Sequence, residues 1–324
     1  MKIANLIYNL MPKRSLHPWH PQLGSQRDWV WRGWQIRYTH IRTDDTVAAT
    51  SSPPLVFLHG FGSALTQWRL NLIPLSQHRT VYAIDLLGFG ASEKAAASYN
   101  VDLWIEQVYD FCQTLIGQPV ILVGHSLGAL VALAAAERHP DLVKGLVLIT
   151  LPSSRQELLP EWLQPIVGAI EGLFASPLII KPLFQFIRQP AFIRSVLRKI
   201  YSNPESVTDE LISSFTMPAL DRGSAAVLTR LVKARTRSDF SPSTKSLLPN
   251  LQIPILMLWG EQDQVIPLTW GRQLPALNNK VKLVELPGAG HCSYDESSEQ
   301  VNHEILTWLQ TNSNAEYYSR SQVN

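Results

Sequence analysis

Hydrophobic positions along the chain follow two periods, and the switches between them predict the elements. Trp34, Ile36 and Tyr38 fall on every second position of "WVWRGWQIRYTH", with Gly33 at a turn, so this stretch predicts a strand pair. "LVFLHG", "TVYAID", Val120 to Val123 and "GLVLIT" are short continuous apolar runs, the pattern of strands buried on both faces. Helical spacing appears from about Val101 to Ile116, and again at Leu127, Leu130, Val131 and Ala134. Strands alternating with helices predict a parallel sheet covered on both sides.

From Leu151 to about Pro249 the pattern changes. No strand is expected there, prolines are frequent, and "WLQPIVGAIEGLF" and "AFIRSVLRKIY" have helical spacing. Alternation then resumes with the strand "IPILMLWG", a helix near Trp270 to Leu277, the strand "VKLVEL" and a closing helix around Gln300 to Gln310. One α/β sheet domain interrupted by a helical cap accounts for this order. The expected boundaries are an N-terminal extension 1–28, core 29–151, cap 152–249, core 250–312 and tail 313–324.

Composition narrows the picture. A chain of 324 residues with 45% hydrophobic content can build one large core. The net charge of +2 gives no reason to expect a nucleic-acid partner. Two cysteines, Cys112 and Cys292, make no disulfide framework and suit a reducing, cytoplasmic compartment. The nine histidines form no metal-binding motif, so no metal or other cofactor is expected, and no apolar run is long enough to span a membrane. Near the N-terminus Ile3, Leu6, Ile7, Leu10 and Met11 share one helical face, followed by Lys13 and Arg14. Asn5, Asn9 and the lack of a small-residue cleavage site argue against a secretory signal; a docking helix and a membrane-surface anchor are the two readings.

In "ILVGHSLGALVAL" the period changes at Ser126. A helix starting directly after a strand needs a sharp, strained turn, and Gly124 and Gly128 would let the two elements approach. The serine hydroxyl is then held above the sheet edge. It needs a base to take its proton, and the base needs a carboxylate to fix its tautomer. In an open parallel sheet such groups gather at the carboxyl ends of strands. "ILMLWGEQDQVIP" offers Glu261 and Asp263 there, and "VKLVELPGAGHCSYDE" offers His291. The expected set is Ser126, Asp263 and His291, in the chain order described for such an elbow. Glu261 reads as a solvated loop residue, His125 as pointing away from the apex, and His59 as shaping its own loop. A developing oxyanion needs two backbone donors, for which the N–H groups of Leu127 and of Phe61 in "LHGFG" are the candidates.

These motifs bring out a resemblance. "LHGFGS", "IDLLGFGAS", "VGHSLGA", "WGEQD" and "LPGAGH" occur in the order found in the α/β-hydrolase fold family, and the resemblance covers about Trp29 to Leu309. It implies an eight-stranded, mostly parallel sheet with the second strand antiparallel, and a cap after the sixth strand. "WVWRGWQIRY", "QVYDFC" and "VTDELI" further resemble the plant and cyanobacterial branch that contains chlorophyll dephytylase and pheophytinase. That branch implies hydrolysis of the phytyl ester of a chlorophyll-type pigment, and a place at the thylakoid membrane. Relatives that open epoxides or remove halides use an aspartate at the elbow, whereas Ser126 favours an acyl-enzyme.

The expected activity is therefore hydrolysis of a carboxylic ester with an apolar portion. Carbon–carbon bond hydrolases and cofactor-free haloperoxidases of the same fold share the triad, and a non-enzymatic binding protein is the reading from another class. Between Gly172 and Pro204 the cap has no acidic residue, but has Lys181, Arg188, Arg194, Arg198 and Lys199. Phe174, Phe184, Phe186, Ile187, Phe192, Ile193 and Leu197 are interleaved with them. They form either the cap's own core with a solvated cationic face, or a lid that meets an anionic lipid surface.

Overall fold

The computed structural model describes residues 23–43, 52–154, 157, 177–237 and 239–321, the last nine of these by their backbone alone. The N-terminal amphipathic stretch, "WLQPIVGAIEGLF" and Phe174 lie outside the described residues. Eight strands form one sheet: β1 (Ser25–Trp31), β2 (Trp34–Ile41), β3 (Leu55–Leu58), β4 (Val81–Ile84), β5 (Val120–His125), β6 (Val143–Ile149), β7 (Ile255–Gly260) and β8 (Val281–Leu286). Their spatial order is β1-β2-β4-β3-β5-β6-β7-β8. β2 runs antiparallel to both neighbours, and all other pairs are parallel. The β1–β2 hairpin closes at the Trp31–Trp34 pair, where Arg32 and Gly33 both have positive φ, at 49° and 86°. That two-residue turn matches the twist of the flanking strands.

The all-apolar runs are the central strands. β3 is buried along its whole length, and its period of two divides the core. Val56 and Leu58 face one cluster with Trp104 and Val131, whereas Leu55 and Phe57 face another with Trp68 and Leu72. On the first face lie α1 (Val101–Phe111) and α2 (Leu127–Arg138). Val301, Ile305 and Trp308 of the closing helix cover the second.

Three helical expectations need adjusting. The helix expected through Ile116 is α-helical only to Phe111, then widens into a π-turn at Cys112–Ile116 that ends at Gly117. The helix expected near Trp270–Leu277 is two short pieces, Leu268–Gly271 and the 3₁₀ turn Leu274–Leu277, because Pro275 cannot donate a continuing bond. The closing helix, expected at 300–310, runs from Ser298 to Ser321.

The chain leaves β6 at Ile149 and returns in β7, the adjacent strand, so the cap is inserted without breaking the sheet. Its described elements are helical: α3 (Pro177–Ile187), α4 (Pro190–Ile200), α5 (Asp209–Ala219), α6 (Ser224–Arg235) and the turn Thr244–Leu247; α7 is the closing helix Ser298–Ser321. Glu157 ties the outgoing and returning segments together by accepting from Ser243 Oγ at 2.9 Å, Lys245 N–H at 2.6 Å and Ser154 N–H. Deeper in, Lys94 reaches from the core to Asp221, between α5 and α6, at 3.2 Å. Its ammonium also donates to the carbonyls of Gly90 and Ser92, at 2.6 and 3.0 Å. Burial pulls its pKa down while Asp221 opposes that shift.

Candidate active site

β5 passes directly into α2 at Ser126, which has φ 52° and ψ −114°. A non-glycine residue in such a conformation stores about 1–3 kcal/mol of strain, which the surroundings must hold. They do so from both sides. Ser126 N–H donates to the Ile149 carbonyl of β6 at 3.0 Å, and the Ser126 carbonyl accepts from Ala129 and Leu130. A Cβ on Gly124 would lie 2.3 Å from the Gly128 carbonyl oxygen, and one on Gly128 would lie 2.2 Å from that of Leu58. No side chain fits at either glycine, which is why the strand and helix can meet this closely. Thr150, directly after β6 and next to this anchor, is another of the three non-glycine residues with positive φ among the described residues.

Asp263 follows β7 in a tight turn. Its Oδ1 accepts the N–H groups of Val265 and Ile266, both at 2.8 Å, so the carboxylate is oriented by backbone. Its Oδ2 lies 2.9 Å from His291 Nδ1. The Asp263 side chain is fully buried and that of His291 is 10% exposed. A carboxylate at Nδ1 makes that nitrogen the donor and leaves Nε2 as the base. Glu261 is exposed, and its N–H donates to the Leu286 carbonyl at 3.1 Å.

The loop carrying His291 is held by groups that the motifs do not reveal. His125 turns away from the elbow apex, and its Nε2 donates to the His291 carbonyl at 3.1 Å. Burial, and then the neighbouring His291, push the His125 pKa well down, so its ring is neutral and Nε2 keeps the proton. Glu296 Oε1 accepts from Gly290 N–H at 3.2 Å and Cys292 N–H at 3.1 Å, the residues on either side of His291. Glu296 Oε2 accepts the N–H of Ser202, just beyond α4, at 2.7 Å. Tyr201 OH donates to Asp295 at 2.7 Å, and His291 N–H to the Ile200 carbonyl at 3.4 Å. One end of the cap helix α4 is thus bonded to the histidine loop. The Cys292 thiol, beside His291, is pushed up to about 12 by burial and stays protonated.

His59 donates from Nδ1 to the Gly60 carbonyl at 2.7 Å and accepts Leu86 N–H at Nε2 at 3.0 Å, joining two loops at the sheet edge. Gly60 N–H is taken by Gln67 at 3.1 Å. Phe61 sits above this loop, 45% exposed, with its ring 5.5 Å from that of Phe89. Leu127 opens α2. Phe61 also borders a cavity of about 370 Å³ between the sheet edge and the cap. Phe89, Phe184, Leu197, Phe215 and Leu231 supply much of its wall, so the cap aromatics Phe184 and Phe215 border this space, and Phe215 also packs against the second core cluster with Leu197, Leu211 and Ile212. Phe186 is instead 61% exposed. Arg194 is paired with Asp209.

Residues 53–298 match the family model described as the alpha/beta hydrolase fold. The chain belongs to this family. Among relatives of this hydrolase-fold protein, a chloroplastic pheophytinase of Arabidopsis thaliana is 26% identical over 80% of the chain and 61% of its own length. The acetyltransferase component of an acetoin cleaving system of Pseudomonas putida is 30% identical, over 79% of the chain and 63% of its own. The chain thus spans a little over three fifths of these two relatives. Among solved structures, a meta-cleavage product hydrolase from Pseudomonas fluorescens superposes with a TM-score of 0.73 at 22% identity, covering 90% of this chain and all of that one. That likeness carries the fold. No helix among the described residues is long and apolar enough to cross a membrane.

Proposed function

We propose that this hydrolase-fold protein cleaves a carboxylic ester with an apolar portion through an acyl-enzyme on Ser126. His291 Nε2 takes the Ser126 proton as Oγ attacks the carbonyl carbon, and the N–H groups of Phe61 and Leu127 receive the oxyanion. His291 then returns the proton to the departing alcohol. A water, deprotonated by the same nitrogen, releases the acid and restores the serine. Asp263 holds the imidazole in the required tautomer. The hydrogen bond from His291 Nδ1 to an Asp263 already oriented by two backbone donors is the observation that carries this reading.

The apolar cavity and the likeness to a pheophytinase support a long hydrocarbon alcohol, with the phytyl ester of a chlorophyll-type pigment as the first candidate. A fluorophosphonate probe tests the nucleophile. It should label the native protein and leave Ser126→Ala unlabelled; failure to label the native protein would favour a non-enzymatic binding role. Esters of graded chain length, including chlorophyll a, then test the substrate class.

The cap supports peripheral contact with an anionic membrane, at the thylakoid surface on the narrower resemblance. Leu178, Ile179, Leu183 and Phe186 make an exposed apolar face on α3, and Leu178 is 87% exposed. Lys181, Arg198 and Lys199 are exposed nearby in a segment without acidic residues.

A further inference from the structure

Among the described residues, the cavity beside Phe61 is bordered by two cations, Lys94 and Arg188, and by no carboxylate. Lys94 has three donors and uses them on Gly90, Ser92 and Asp221, so it has none to offer. Arg188, at the end of α3, is different. Its backbone N–H caps the helix on the Phe184 carbonyl, and its side chain reaches the cavity wall half-buried. Its Nε is shielded from solvent without an acceptor, and no acidic side chain among the described residues pairs with it. A buried donor left open beside an otherwise apolar space calls for a partner that arrives with the ligand.

We infer that Arg188 binds a carboxylate on an apolar ligand of this cavity, so that an amphiphile with one hydrocarbon portion and one acidic end is held more tightly than a fully esterified ligand such as chlorophyll a. The planar guanidinium offers Nε and Nη as parallel donors, the geometry that a carboxylate accepts at both oxygens. Arg188, without an acidic partner among the described residues, neutralises one negative charge, whereas a phosphate dianion would keep an uncompensated buried charge. Phe61 and Arg188 border the same space, so an ester engaged at the Phe61 loop could extend its acidic end towards α3. The identity of this ligand as a substrate rests on the hydrolase reading; its binding does not.

The test therefore starts with binding alone. Isothermal titration of the Ser126→Ala protein should give at least tenfold tighter binding of decanoate than of decanol. Arg188→Gln in that background should bring the ratio close to one, while Arg188→Lys keeps part of it. Equal binding of the two ligands, or a decanoate preference that survives Arg188→Gln, overturns the inference; the latter would place the carboxylate elsewhere. If Arg188→Gln fails to fold by circular dichroism, Arg188→Met and Arg188→Lys carry the comparison. With the native enzyme, 4-nitrophenyl octanoate against its ω-carboxylate counterpart tests an acid on the acyl side. Octyl acetate against the acetate ester of 8-hydroxyoctanoate tests one on the alcohol side. Loss of all hydrolysis with the decanoate preference intact would remove the proposed reaction and leave the anion site standing.

Discussion

The histidine loop and the cap helices meet at Ser202, yet they are held in different ways. Around His291, backbone groups on both sides are bonded to Glu296, the carbonyl is bonded to His125, and the ring is bonded to Asp263. Where α3 to α6 border the cavity, the surface is mostly Phe, Ile, Leu and Val, joined to the core by a few polar contacts such as Lys94–Asp221. Directional bonds fix atoms to within tenths of an ångström, as proton transfer requires. Apolar contacts are nondirectional and let a wall adapt to a chain. On the proposed reading, reaction and selectivity rest on different kinds of interaction.

The largest effects should come from breaking the fixed part. Ser126→Ala and Asp263→Asn should each lower kcat by roughly 10⁴-fold with the fold intact, the second through the wrong imidazole tautomer. Near-native turnover in either variant, measured with a chromogenic ester, would falsify the assignment.

Phe61 belongs to both regions and separates them. Phe61→Pro removes the proposed oxyanion donor and should lower kcat by about 10²-fold. Phe61→Ala keeps the N–H but removes a cavity wall, so its cost should appear in KM for long esters. The same kcat and KM in both variants would count against the backbone role.

Glu296→Ala cuts the bond between cap and histidine loop. Exposing four polar partners should lower stability by about 2 kcal/mol and reduce kcat more than KM. Glu296→Gln should recover part of both, checked by urea unfolding and steady-state kinetics. A change in KM alone would place Glu296 with the cap.

Acid should weaken the fixed part next. Burial lowers the pKa values of His59 and His125 below the ordinary 6.5. The unfolded chain then binds more protons as pH falls below 6.5, so stability is full above that value and declines below it. Each group can contribute a slope of up to about 1.4 kcal/mol per pH unit until its folded pKa is reached. Unfolding free energies between pH 7.5 and 5 should show the decline, and a flat profile would contradict it.

The smallest effect concerns the outer face of the cap. The protein should sediment with anionic liposomes at low salt, less at high salt, and less when Lys181, Arg198 and Lys199 become glutamine. Arg194 is unsuitable for this set because Asp209 already pairs with it. No sedimentation at any salt concentration removes the membrane contact.

Whereas the strand count and the antiparallel second strand came from the family resemblance, the first strand pair and the parallel core were legible because they depend on local period and turn chemistry. The elbow was legible for the same reason: Gly124, Ser126 and Gly128 are a backbone requirement written in adjacent residues. His125 was read only as pointing away, and its bond to the His291 carbonyl spans 166 positions. The tie between Ser202 and Glu296 spans 94, and nothing in either neighbourhood announces it.

By itself the sequence determined where strands end and that Ser126, Asp263 and His291 stand at those ends, since short-range sterics and hydrophobic period act between neighbours. Only the tertiary structure decided which cap side chains border the cavity, that Lys94 has all its donors used while Arg188 keeps one open, and that Glu296 grips both the cap and the histidine loop. Such outcomes depend on desolvation and on hydrogen-bond pairing across the fold, and these exist only once distant segments have packed together.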